Sequence, residues 1–223
     1  MNILVIGEET NFKECQSKFK DRHNYKFTNT HLGAKKEISE MDVIFDFIID
    51  REVTQMELYR DLSKVTVFLN TAKINLGHLS ASLKQKISSS IFGFAGLPSF
   101  LNREILEVSL LRQDLESGLS TICKELGTAF QIVDDRVGLV TPRIICMIIN
   151  EAYYTVQEGT AGKDDIDLAM KLGTNYPFGP FEWCQKIGVR NVYELLAAIY
   201  EDTKDERYKI CPLLKKEYLF TQP

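Results

Sequence analysis

Through its first 135 residues the chain places its apolar positions in short unbroken runs. Asn2–Ile6, Met41–Ile49 (MDVIFDFII) and Val65–Leu69 (VTVFL) are the clearest. Runs of this length suit strands buried on both faces, as in a parallel sheet. Ser90–Phe94 and Glu104–Leu111 read as further strands, Tyr25–Thr28 as a weak one and Ala129–Val133 as a last short one. Between them, Phe12–Lys20, Thr54–Leu62, Leu76–Lys86 and Ser117–Leu126 have helical spacing, the last stopping at Gly127, a natural residue after a helix end. Strands alternating with helices predict an α/β, doubly wound parallel sheet.

After Asp135 the pattern changes to a helical period. Thr141 and Pro142 suit the cap and first position of a helix. Ile144, Ile145, Ile148, Ile149, Ala152 and Val156 then make it apolar over much of its circumference, as a central helix would be, and Gly159 ends it. Asp164–Lys171, closed by Gly173, and Asn191–Tyr200 are two more helices. The boundary falls near residues 136–140, so we expect a sheet domain over 1–137 and an all-helical domain over 138–223. Asp134-Asp135-Arg136 reads as a charged connection between them.

Composition narrows the function classes. A net charge of -4 argues against a general nucleic-acid or anionic-membrane surface. No apolar run approaches the roughly 20 residues of a membrane span. The start, MNILVIGEE, lacks the basic lead and cleavage site of a signal peptide and reads as a strand. The five cysteines are scattered without a CxxC pair, which suits a reducing cytoplasm. His23, His31 and His78 are not at metal-ligand spacing, and no metal site is expected.

The run Gly138–Trp183, with its KLG turn (Lys171–Gly173), its DDID helix start (Asp164–Asp167) and its YPFGPFEW stretch (Tyr176–Trp183), resembles the C-terminal helical domain of the 3-hydroxyacyl-CoA dehydrogenases, including the 3-hydroxybutyryl-CoA dehydrogenases. Upstream, MDVIFDFIID, a helix and VFLNTA resemble that family's strand–helix–strand leading to Asn-Thr-Ser. SIFGFAGLPSF followed by LEVSLL resembles its His-Phe-Phe-Asn-Pro segment followed by Val-Glu-Val. The resemblance implies a shortened Rossmann-like sheet domain, NAD as cofactor, a CoA thioester as ligand, and a homodimer formed by the helical domain.

Several residues depart from what that chemistry needs. A dinucleotide fingerprint requires glycine for a tight turn, for close approach to the pyrophosphate and for helix packing. Here only Gly7 stands in place, with Glu9 and Phe12 at the second and third positions. A carboxylate there opposes an anion: at ~4 Å and an effective dielectric near 20, each like-charge contact costs on the order of 4 kcal/mol before screening. About 35 residues separate the first strand from MDVIFDFII, too few for the family's additional hairpin, and Glu37, Glu40 and Asp42 include no identifiable ribose ligand. At the family's catalytic positions the resemblance places Ala72, Phe94 and Pro142, none able to move or donate a proton, and retains Glu107. His78 is an alternative source of an imidazole. Asn70 and Arg143 are candidate substrate contacts, and Gly7 the one candidate cofactor contact. Gly93–Pro98 reads as a strand-end turn or as pocket lining. Three functions follow: a binder of CoA thioesters or regulatory subunit that has lost hydride transfer, a structural or partner-binding dimer, or a working oxidoreductase with repositioned groups.

Overall fold

The computed structural model describes residues 1–81, 83 and 88–221. It divides into two compact units, Met1–Leu139 and Val140–Pro223.

The first unit is a seven-stranded sheet. Its strands are β1 (Asn2–Ile6), β2 (Asn24–Thr28), β3 (Val43–Asp46), β4 (Thr66–Asn70), β5 (Ser90–Phe94), β6 (Ile105–Leu110) and β7 (Ala129–Val133), in spatial order 2-1-3-4-5-6-7. All neighbours are parallel except β5 and β6. That one antiparallel pair corrects the all-parallel expectation. A parallel return needs a crossover of a dozen or more residues, commonly a helix. The segment between Phe94 and Ile105 is shorter and forms none.

The apolar runs bury both faces of the sheet. Ile3, Val5, Phe45, Phe68, Phe92 and Val108 point to one side, where α1 (Glu9–Phe19) and α4 (Glu116–Leu126) contribute Cys15, Phe19, Leu119 and Cys123. Leu4, Ile6, Ile44, Val67, Leu69 and Ile91 point to the other. That side is covered by α2 (His31–Ala34), by the 3-10 segment Val53–Tyr59 and by α3 (Leu76–Ala81). The expected strand Met41–Ile49 is shorter than its apolar run, because Phe47 to Ile49 leave the ladder after Asp46. The expected helix Thr54–Leu62 is the 3-10 segment instead. The part of Leu76–Lys86 beyond Ala81 lies largely outside the described residues.

The second unit consists of α5 (Thr141–Gln157), α6 (Lys163–Thr174), α7 (Pro180–Ile187), α8 (Val189–Thr203) and α9 (Pro212–Phe220). Neither α7 nor α9 is legible as a separate period in the sequence. The cap of α5 is Val140 rather than Thr141, which already lies inside the helix. One face of α5 buries Ile145, Cys146, Ile149, Ala152 and Tyr153, whereas Ile144 is exposed. Gly173 does not close α6: the helix runs one residue further and stops at Asn175, which is left-handed at φ 55°. Buried Asn150 braces α5 to the approach of α9, donating to the Lys209 carbonyl and accepting from the Cys211 amide. All five cysteines are buried, and no two of them form a disulfide.

Candidate functional site

The carboxyl ends of β1, β3, β4 and β5 bring most of the candidate residues of the first unit together. The order reverses between β1 and β3, and the crevice beyond such a switch point is where open α/β sheets bind ligands. Gly7 follows β1 there. Its amide donates to the Thr28 carbonyl, which pins the turn to β2. Asn11, the buried polar residue of α1, folds back so that its Oδ1 accepts from the Glu8 amide at 2.8 Å. A Cβ on Gly7 would lie 2.7 Å from that oxygen and 3.0 Å from the Cβ of Phe47, so the open side of the glycine is filled from within. The two carboxylates of the turn are neutralised locally, Glu8 by Arg51 at 3.0 Å and Glu9 by Lys13 at 2.8 Å. Phe12 packs its ring against Phe27 and Tyr25 of β2. The like-charge obstacle expected from the sequence is therefore smaller than it looked, and the packing obstacle is larger.

Asn70, at the end of β4, is buried and turned inward. Its Nδ2 donates to the Phe47 carbonyl at 3.1 Å, and its Oδ1 accepts from the Gly96 amide at 2.9 Å and the Ala72 amide at 3.2 Å. It ties three strand ends together. Gly96 is the counterpart of that tie, since a Cβ there would meet Asn70 Cγ at 2.6 Å. Ala72 is fully buried.

Phe94 and Glu107 do not meet. Phe94 pairs with Val108 across the β5–β6 ladder and is fully buried, with its ring edge-on to Phe45 at 5.5 Å and to Phe47 at 5.1 Å. Successive strand residues face opposite sides. Glu107 therefore points to the other face of the sheet, half-buried on the side of Ser109 and Gly93. Burial holds the Arg103 guanidinium below its usual pKa, and the charge of Glu107 works against that shift. His78 is exposed on α3.

Asp135 is more than a charged connection. Its Oδ1 accepts from the Leu76 amide and the Ser109 hydroxyl and its Oδ2 from the Gly77 amide, so it caps the start of α3. In the second unit, Pro142 is buried in the first turn of α5. Arg143 donates from a terminal nitrogen to the Tyr208 hydroxyl at 2.8 Å and stacks on that ring. The YPFGPFEW stretch is built around a cap: Asp167 of α6 accepts from the Phe181 and Glu182 amides, at 2.8 and 3.0 Å, at the start of α7.

One polar cluster escaped the sequence reading. Asp46, fully buried in the apolar row Ile6–Asp46–Leu69, accepts from the Tyr59 hydroxyl at 2.8 Å and the Ile48 amide at 2.9 Å, and faces His31 Nε2 at 2.8 Å. The other ring nitrogen of His31 faces Glu52 at 3.1 Å. The signal was present in MDVIFDFII, where an aspartate inside a doubly buried strand demands partners. Burial works to lower the His31 pKa, but the hydrogen bonds and charges of Asp46 and Glu52 outweigh it and raise it. Burial first, and then Asp46, push the Tyr59 hydroxyl well up.

Comparison with known proteins adds the ancestry. The family model for the 3-hydroxyacyl-CoA dehydrogenase C-terminal domain matches residues 138–220. The 3-hydroxybutyryl-CoA dehydrogenase of Bradyrhizobium diazoefficiens is 27% identical over 199 residues, covering 83% of this chain and 66% of that protein. The probable 3-hydroxybutyryl-CoA dehydrogenase of Bacillus subtilis is 25% identical over 188 residues, covering 81% and 65%. The chain thus spans slightly less than two thirds of the length of these relatives. In fold, it matches M. tuberculosis FadB2 with a TM-score of 0.78 at 15% identity, covering 99% of this chain and 94% of that one. It matches the (S)-3-hydroxybutyryl-CoA dehydrogenase of Ralstonia eutropha with a TM-score of 0.72 at 17% identity, covering 96% and 92%. The helical unit thus carries a 3-hydroxyacyl-CoA dehydrogenase C-terminal domain, and similarity to dehydrogenases of that family extends through the sheet.

Proposed function

We propose that this chain is a family member that does not transfer hydride and that serves as a CoA-thioester-binding or regulatory protein of acyl-CoA metabolism in the cytoplasm. The observation that carries this reading is the placement of Phe94. At the position the resemblance assigns to the catalytic histidine stands a ring sealed into the aromatic core, with Glu107 on the opposite face. Loss of a general acid–base alone removes ~10²–10⁴-fold in rate. Ala72 and Pro142 bring no polar side chain to the other two positions, and Asn70 already gives both ends of its amide to backbone groups.

The residues at Gly7 do not suit a dinucleotide. Close approach of the pyrophosphate needs an uncovered glycine and free amides at the helix start. Here Asn11 engages the Glu8 amide, and Phe47 and Asn11 cover the glycine. Calorimetric titration should therefore show heat of binding for acetoacetyl-CoA and none for NADH. Micromolar NADH affinity would overturn the reading. Silence toward both ligands would favour the partner-binding alternative.

A homodimer formed through the helical unit belongs to the same proposal. Leu168 and Leu172, one turn apart on α6, are 54% and 78% exposed, and Ile144 on α5 is 52% exposed, leaving apolar surface for a second copy to cover. Light scattering at micromolar concentration should give twice the chain mass, and a monomer would remove this part.

A further inference from the structure

Among the described residues, the charged and titratable groups around His31 come from three elements: Asp46 from β3, Glu52 from the segment after it and, through Asp46, Tyr59 from the 3-10 turn. His31 is 1% exposed, while the Glu52 side chain is 52% exposed. Each ring nitrogen thus faces a carboxylate oxygen within hydrogen-bond reach. An imidazolium has two N–H donors and satisfies both. A neutral imidazole has one donor and one lone pair, so one carboxylate must then face a lone pair. The two carboxylates are not equivalent. Asp46 is fully buried and cannot turn to water, so the remaining proton stays on Nε2. Glu52 can rotate into solvent.

Glu52 stands at the head of the Val53–Tyr59 segment, and its neighbour Arg51 binds Glu8. Phe47, at the other end of the same stretch, covers Gly7. We propose that His31 is a proton-operated latch: protonated, it holds the Phe47–Glu52 strap through Glu52 over the Gly7 turn at the switch point of the sheet, and deprotonated it keeps Asp46 and releases Glu52. This inference is independent of whether the protein binds a thioester or transfers hydride. The sign follows from the raised His31 pKa. The contact is fully present below the usual histidine value and is lost as pH rises through the higher folded value.

Amide hydrogen exchange of the full chain between pH 5.5 and 9, corrected for intrinsic exchange, tests it. Protection of peptides spanning Phe47–Tyr59 should fall roughly fivefold with rising pH, the scale of one charge-assisted contact to an exposed partner. Peptides from β1 and β4 should not change. Glu52→Gln alters an exposed side chain and should fold. Its amide can accept from Nδ1–H or donate to the Nδ1 lone pair, so the pH dependence should vanish. Wild-type protection that is flat across this range, or an equal pH dependence in Glu52→Gln, would overturn the latch.

Discussion

Phe94→His should destabilise the sheet unit by roughly 3 kcal/mol and restore no turnover with acetoacetyl-CoA and NADH. The stability loss has two sources. The ring gives up edge-on contacts with Phe45, Phe47 and Phe68 in a fully buried position, and aromatic truncation in a core costs about 3–5 kcal/mol. The imidazole keeps part of that volume but adds polar nitrogens to an aromatic environment, at about 1–3 kcal/mol for an unsatisfied group. No activity returns because a histidine there points away from Glu107, the carboxylate that would orient it. Adding Ala72→Ser and Pro142→Asn should not help, because the Gly7 turn stays closed by Asn11 and Phe47. Urea denaturation measures the first effect and NADH absorbance the second. A folded triple variant that oxidises NADH with acetoacetyl-CoA would show that the reacting groups can assemble after all. Wild-type turnover abolished by Glu107→Gln would show chemistry rebuilt around that carboxylate.

Two glycines of the helical unit should respond in opposite directions. Gly179→Ala places a Cβ 2.3 Å from Asp167 Cγ and 2.4 Å from Asp167 Cβ. The aspartate is buried, and its attachment point cannot swing aside as a long side-chain tip would. It must move with its helix or abandon the Phe181 and Glu182 amides it caps. Overpacking costs about 1–3 kcal/mol and loss of a cap about 1, so a loss of roughly 3 kcal/mol is expected. Gly173→Ala, by contrast, meets nothing within 4 Å inside α6 and should stabilise by about 0.5–1 kcal/mol through helix propensity. Thermal denaturation of the two variants side by side checks both signs. Equal effects would show that Asp167 and Gly179 are not coupled.

This contrast also shows how far the sequence could be read. Apolar runs announced β1, β3, β4 and β5 because burial on both faces leaves few polar positions in a strand. The reversal at β6 was invisible, since strand direction depends on where the chain returns and not on which residues are apolar. Gly173 and Gly179 look alike as letters. Only the neighbour that each backbone meets separates a tolerant helix position from a crowded cap. The same limit governs the candidate site. Asn70 was legible as a polar residue at a strand end, but its inward turn depends on Phe47 and Gly96, more than twenty positions away on either side. His31 and Asp46 lie fifteen residues apart in the chain with no periodic relation.

The buried cysteines give the molecule an internal clock. Cys15 and Cys123 lie in the core of the sheet unit, and Cys146, Cys184 and Cys211 in the helical one. Burial pushes the Cys123 and Cys184 thiols up to about 12 and about 11, and Cys15 well up, so those three carry little thiolate near neutral pH, and burial shields all five sulfurs from reagent. An alkylating reagent can then react only with molecules that have opened. Because the two units carry different sulfurs, the order in which they are labelled records which unit opens first.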